Sequence, residues 1–378
     1  MCVLDDYLFF QSVSNRFCYT APYCDVFTLT SFLRFYKAVT HIFRPQEFGI
    51  DLGTTTVRLY VRGKGVVLRE PSVVALAKET GEVQAVGEDA YRLLGRSPGS
   101  VVTVRPLKDG VIADYALTEA MLKAFLRRLS SGPGRFLGRS VIICVPSGAT
   151  ETEKRAVLEA VREAGAKRAL LLDQPLAAAI GAGLDVTEPT GAAVVNVGGG
   201  TTDIAVISLG GVVVAESLRV AGNAFDEAIV RFIRHKENLL IGDRTAEEAK
   251  LRVGAATSGG PGESSFEVRG RDITSSLPKN VVVTTADVVE ALQGSLEKIA
   301  DGVQRVLEAA PPELVSDVIE RGIVLTGGGV LLRNFDVLLQ QTTGIPVVVA
   351  ENTADCVALG TGRAFSLTEQ LDTSEHAS

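Results

Sequence analysis

The residues best suited to chemistry stand in two short polar turns. Gly198, Gly199, Gly200 and Thr201 separate the apolar run 194–197 from a second apolar run, 204–207, and the β-branched residues on both sides read as a hairpin. Glycine lets the backbone come close to a ligand, and successive turn N–H groups converge on a concavity that suits phosphate oxygens. Gly53, Thr54, Thr55 and Thr56 repeat the plan between residues 48–52 and 57–61. Each turn follows an acidic or amide residue at the end of its first strand, Asp51 in one case and Asn196 in the other. One Gly-rich hairpin fits a bare turn as well as a ligand site. Two copies in one chain point to a duplicated fold whose turns face each other across a cleft and grip a nucleotide's phosphates from both sides.

The elements that must position these turns are readable from periodicity and punctuation. Residues 117–129 carry apolar positions at 117, 121, 122, 125, 126 and 129, the spacing of an amphipathic helix. Thr150 and Glu153 form a capping-box pattern at the head of another helix. Residues 141–145 read as a buried strand, and 170–172 as the next one, leading into Asp173, Gln174 and Pro175 at the start of a small-residue helix. Gly222 opens a further helix, and the segment with Glu247, Glu248, Ala249 and Lys250 opens another, with Glu247 and Lys250 on one face at i, i+3. Taken alone, that pair reads as a solvated surface pair. A third glycine turn, Gly327, Gly328 and Gly329 before Val330, joins the strand at 323–326 to a helix start. It suits close approach to a flat base or a phosphate, and equally a packing turn. Residues 266–270 read as an edge strand, 287–309 as a long helix closed by Pro311 and Pro312, and 355–365 as a returning helix.

Composition removes several classes of function. The 378 residues imply two or three units with ample core, and the net charge of -7 shows no electrostatic footprint for nucleic acid. Five cysteines stand without zinc spacing or a disulfide framework, which fits a reducing cytoplasm. Three histidines leave little for a triad or a histidine metal site, and no GxxxxGK[ST] loop is present. Residues 1–46 differ from the rest, with 11 of the 22 aromatic residues and three of the cysteines. Asp5 and Asp6 stand where a signal peptide carries positive charge. Leu29, Phe32, Leu33, Tyr36, Val39 and Phe43 recur at helical spacing among basic residues, as in a membrane-surface helix. A poorly ordered extension is the plainer reading of the same segment.

From Phe48 to Leu367 the chain resembles the actin-like ATPases, and within them the bacterial MreB/Mbl cytoskeletal proteins. The blocks GKGVVLREPSVVA, RPLKDGVIADY, PLAAAIGAGL, GGGTTDIAVISLGG, PPELVSDVIERGIVLTGGGVLLRN and TGIPVVVAE carry the resemblance in this order. It implies ATP between two lobes, with the three glycine turns, Gly222 and the stretch Glu247 to Lys250 around the nucleotide, and Glu247 and Lys250 near ribose and adenine. It implies Mg2+ held through water by Asp51. Two positions depart from the family pattern. Gln174 stands where the family usually has a glutamate that polarises the attacking water, and glutamine can orient a water but not take its proton. Asn196 replaces an aspartate that anchors the metal's waters, keeping the shape and losing the charge. Slow or absent hydrolysis follows as the expectation, with a nucleotide-binding scaffold that copolymerises without turnover as its alternative.

The expected architecture is an α/β, duplicated ribonuclease H-like (actin-type) fold of two lobes, each with an inserted subdomain. The first lobe is expected over 47–182 plus 355–370 with its insert at about 75–104, and the second over 183–354 with its insert at about 223–286. Residues 1–46 form an atypical extension and 371–378 a disordered tail in this reading. The resemblance further implies a head-to-tail filament of the chain with itself at the inner face of the cell membrane, working with the cell-wall elongation machinery in shape control.

Overall fold

The computed structural model describes residues 46–95, 99–129, 139–258 and 264–375. The aromatic-rich N-terminal stretch 1–45, including the amphipathic segment, lies outside the described residues, as do the loop 130–138 and most of the Gly/Ser-rich loop 258–265.

Two five-stranded mixed sheets carry the molecule, and they share one topology. In the first, the order is Arg168–Asp173, Arg139–Val145, Gln46–Leu52, Thr56–Val61, Gly65–Pro71. The second runs Val347–Val349, Ile323–Thr326, Ala192–Val197, Thr202–Ser208, Gly211–Leu218. Each is built from an antiparallel three-strand meander, with two parallel strands added on the far side of its first strand. The duplication inferred from two turns therefore extends to whole sheets.

Burial explains the composition of the strands. Ala192–Val197 and Thr202–Ser208 are buried at every position, so both faces are covered and the run is apolar rather than alternating. In the first lobe, Met121, Leu122, Phe125 and Leu126 of the helix Tyr115–Leu129 close one core against Phe48, Ile50, Val141 and Ile143. The second core gathers Val195, Ile204 and Leu325 of the sheet with Phe225 and Ile229 of Gly222–Glu237 and Leu292, Leu296 and Ile299 of Thr285–Ala309. Thr284 and Asp287 form the capping box that starts the latter helix, two residues before the sequence reading placed it.

Two helices run under the join between the sheets, Gln174–Ala182 and Cys356–Glu375. They touch through glycine: a Cβ on Gly181 would lie 1.7 Å from the Cys356 carbonyl oxygen, and one on Gly360 would lie 1.8 Å from that of Ala177. Arg363 Nη1 donates to the Ile180 and Gly181 carbonyls at 2.9 Å each, satisfying acceptors left open where the first helix ends. The second helix continues to Glu375, so most of the segment 371–378 read as a disordered tail is helical, and 376–378 lie outside the described residues.

Small sheets accompany each large one. Val74–Ala77 pairs with Val83–Val86 and Val101–Val104, and Ser265–Asp272 pairs with Leu239–Leu240 and Pro278–Thr284. The strand at 266–270, read as an edge, is thus the central one of its sheet, because the two-residue strand Leu239–Leu240 has no sequence signal of its own.

Candidate functional site

The two hairpin turns meet tip to tip over a cavity of about 240 Å³. Hairpin register sets their equivalence: Leu52 pairs with Val57 and Val197 with Thr202, so each turn contains four residues and Asp51 corresponds to Asn196. Thr54 and Thr55 then correspond to Gly199 and Gly200. The exchange of threonine for glycine has a steric cause. A Cβ on Gly199 would come within 1.9 Å of Thr55 Oγ1, and one on Gly200 within 2.5 Å of Thr54 Oγ1. One turn keeps hydroxyls and the other gives up side chains, and only that combination lets the backbones close. Gly110 N donates to Thr54 Oγ1 at 2.8 Å, and Thr55 Oγ1 donates to Asn223 Oδ1 at 3.2 Å. Gly222 N and Asn223 N donate to the Gly198 and Gly199 carbonyls, fixing the start of Gly222–Glu237 beside the second turn.

Most residues singled out from the sequence line this cleft: Asp51, Gly53 to Thr56, Gln174, Asn196, Gly198 to Thr201, Gly222, Glu247, Lys250 and Gly327 to Gly329. Gln174 reaches it from the first position of its helix, just after the strand Arg168–Asp173. Asn196 is buried and accepts a hydrogen bond from Thr326 Oγ1 at 3.2 Å. Lys250 Nζ pairs with Asp226 Oδ1 at 2.8 Å and donates to the Gly222 carbonyl at 3.1 Å. Glu247 accepts a hydrogen bond at 3.0 Å from the Tyr91 hydroxyl, which reaches across from the first lobe's small sheet and its helix Glu88–Tyr91.

Three residues do not reach the cleft. Helical rotation turns Glu248 outward to Arg252, at 2.9 Å, and buries Ala249 in the second core, leaving only the i, i+3 pair facing inward. Val330 also belongs to that core. It lies in a four-residue 3-10 turn, Gly328–Leu331, where the sequence reading placed a helix start. Of the three glycines, Gly327 and Gly329 are packing residues whose Cβ atoms would meet Val197 at 2.2 Å and 2.4 Å, while Gly328 faces open space. Both readings of that turn therefore apply, one residue apart.

Sequence reasoning missed Arg58, Asn223, Asp226, Leu251 and Leu331, all of which line the cleft. Leu251 and Leu331 are 73% and 65% exposed, apolar surface held open at its rim. Arg58 carries no local signal; only the hairpin register makes it the cross-strand partner of Asp51. Arg58 Nη1 donates to Asp51 Oδ2 at 3.3 Å, and burial holds the Asp51 carboxyl above the usual range, with Arg58 pulling it back. Asp203, facing Asn196 in the hairpin, is wholly buried and accepts from Ser147 N and Thr201 Oγ1 at 3.2 Å each. Burial raises its pKa to about 6 in spite of those donors. Burial likewise raises Asp226 to about 6, against the pull of Lys250.

Paired sheets of identical topology, with a glycine turn from each closing on one cleft, define the class: the fold is the duplicated, two-lobed α/β architecture of the actin type. The MreB/Mbl protein family profile matches residues 45–373. The cell shape-determining protein Mbl of Bacillus subtilis is 49% identical over 317 residues, covering 84% of this chain and 95% of its own. MreB of Escherichia coli, also a cell shape-determining protein, is 48% identical over 327 residues, 85% of this chain and 93% of its own. The crystal structure of MreB5 of Spiroplasma citri bound to ADP superposes with a TM-score of 0.82 at 36% identity, over 87% of this chain and 98% of that one. The chain belongs to the MreB/Mbl family.

Proposed function

We propose that this chain is an ATP-binding cytoskeletal protein that assembles head to tail into filaments at the inner face of the cell membrane, organising cell-wall synthesis and cell shape, with slow ATP hydrolysis. The observation that carries the reading is the interlock of the two turns, which aims the backbone of both lobes at one point of the cleft. A ligand with several phosphate oxygens satisfies both turns at once. Exposed Leu251 and Leu331 at the rim suit the flat apolar face of a base. The Spiroplasma relative, bound to ADP in one crystal form and AMPPNP in another, supports the same ligand class. Closure of the lobes around nucleotide changes the shape of a head-to-tail contact, and such a contact, when it does not close on itself, gives an open filament. Among the described residues no helix is long and apolar enough to cross a membrane.

Slow turnover follows from two side chains. Gln174 can orient a water in the cleft but has no basic site for its proton. Asn196 offers an amide oxygen, already engaged by Thr326, in place of a carboxylate. The same facts favour a second reading, a scaffold that binds nucleotide and joins filaments without turnover.

Magnesium, implied by the family, is poorly matched by these donors. Among the acids lining the cleft, Asp51 faces Arg58, Asp226 faces Lys250 and Glu247 accepts from Tyr91. No group of three or more metal-ligating side chains occurs among the described residues.

Phosphate release measured beside binding of a fluorescent ATP analogue tests the proposal. Binding with turnover supports the filament ATPase, binding without turnover supports the scaffold, and absence of binding removes both. Sedimentation separates them further: a filament that disassembles with ATP and persists with a non-hydrolysable analogue is coupled to hydrolysis.

A further inference from the structure

Between the glycine turns and the apolar rim of the cleft lies a carboxylate that accepts no hydrogen bond. Asp226 stands one helical turn after Gly222 in Gly222–Glu237, so it shares the face that Gly222 turns to the cleft. Gly222 N donates to the Gly198 carbonyl at 3.1 Å, which sets the start of that helix against the second turn. Lys250 Nζ joins the two levels: it donates to the Gly222 carbonyl at 3.1 Å and stands 2.8 Å from Asp226 Oδ1. The next residue, Leu251, is at the exposed rim. A nucleotide with its phosphates on the turns and its base against Leu251 and Leu331 therefore lays its sugar beside Asp226 and Lys250.

The Asp226 side chain is 14% exposed. Its Oδ1 is shut off from solvent and faces the Lys250 ammonium at ion-pair distance without hydrogen-bond geometry. Oδ2 accepts no hydrogen bond from any of the described residues. The ion pair thus engages one oxygen and leaves the other an open acceptor, on a group with about four lone-pair sites. Glu247, the other acid at this level of the cleft, is already engaged by the Tyr91 hydroxyl at 3.0 Å. A phosphate meets repulsion from the Asp226 charge, whereas a neutral hydroxyl gains a charge-assisted hydrogen bond from it.

We propose that Asp226 reads the sugar: its open carboxylate oxygen accepts a 2′ or 3′ hydroxyl of the ribose, so that this chain discriminates ATP from the deoxy analogue lacking that hydroxyl. The proposal rests on the reading of the cleft as a nucleotide site and adds what that site recognises in the sugar. A site built to hydrogen-bond a hydroxyl rejects the analogue without it, because its own polar group is then left unpaired.

The test uses the full chain and an ATP analogue labelled on the base, displaced by ATP, 2′-deoxy-ATP or 3′-deoxy-ATP and read by fluorescence anisotropy. The wild type is expected to bind ATP about tenfold or more tightly than at least one deoxy form, the scale of one hydrogen bond to a charged group. Asp226→Ala is expected to bring that ratio within about threefold, whatever its effect on overall affinity. Asp226→Asn keeps one oxygen acceptor without the charge and should fall between. If Asp226 serves only to hold Lys250, the variants weaken all three nucleotides alike and leave the ratio unchanged, which overturns the proposal. A wild type that binds both deoxy forms within about threefold of ATP overturns it too, and either result leaves the nucleotide site intact. Absence of ATP binding to the wild type removes the nucleotide site and the proposal together. Thermal unfolding checks that the variants fold, and Asp226→Asn, matched in shape, carries the comparison if Asp226→Ala does not.

Discussion

Single atoms set the chemistry of this cleft. If hydrolysis is slow because Asn196 lacks a carboxylate, Asn196→Asp should raise phosphate release by about a hundredfold, the lower range for one positioned proton acceptor. An unchanged rate would mean that turnover is limited elsewhere. Asp203, beside it, makes a prediction about pH. Its folded-state pKa of about 6 lies above the ordinary 3.8, so between those values the native protein keeps a proton that the unfolded chain has released. The stability it contributes is full below 3.8 and is lost as pH rises through about 6. Asp203→Asn is neutral throughout and escapes that loss. Its melting temperature relative to wild type should rise between pH 4.5 and pH 7.5, by the equivalent of about 1–3 kcal/mol. A constant gap across that range would show that Asp203 ionises as an ordinary carboxyl.

Elements of the fold approach one another only where side chains are missing. Gly199→Ala brings a Cβ to 1.9 Å from Thr55 Oγ1 and 2.7 Å from Thr55 Cβ, both in the opposing turn. It should cost about 1–3 kcal/mol as overpacking and weaken nucleotide binding by forcing the turns apart. Adding Thr55→Gly removes the opposing atoms. A double-mutant cycle should then show recovery of part of the binding, and strict additivity would mean that the turns do not meet in solution. The helix pair behaves alike: Gly181→Ala should lower the melting temperature, because its Cβ would enter the Cys356 backbone and no flexible side chain can yield there.

Across the whole molecule, the lobes are tied over the cleft by the Tyr91 hydroxyl on Glu247, with the Arg244 guanidinium 5.8 Å from the Tyr91 ring centre. Tyr91→Phe keeps the ring and removes the hydrogen bond. Release of a fluorescent nucleotide should accelerate by about threefold to tenfold, as expected for one partly exposed hydrogen bond to a charged group. Unchanged release in stopped flow would mean that this tie does not limit opening.

The sequence by itself determined the duplication and most of the cleft. Each turn announces itself locally: glycine and threonine after an apolar run that ends in Asp51 or Asn196, a pattern set by backbone freedom and alternation. The blocks that carry the family resemblance likewise need no coordinates. Only the tertiary structure decided what crosses between elements. Arg58 looks like any surface residue of an alternating strand until hairpin register sets it opposite Asp51. Tyr91 meets Glu247 from 156 residues away, a separation no local pattern encodes. Glu248 and Ala249 share a segment with Glu247 and Lys250, yet one faces solvent and one the core, because the packed face fixes how the helix is rotated. The glycines of the second turn and the threonines of the first are each ordinary turn residues. Their complementarity exists only where the two backbones meet, since close packing is a property of pairs of surfaces and not of either strand alone.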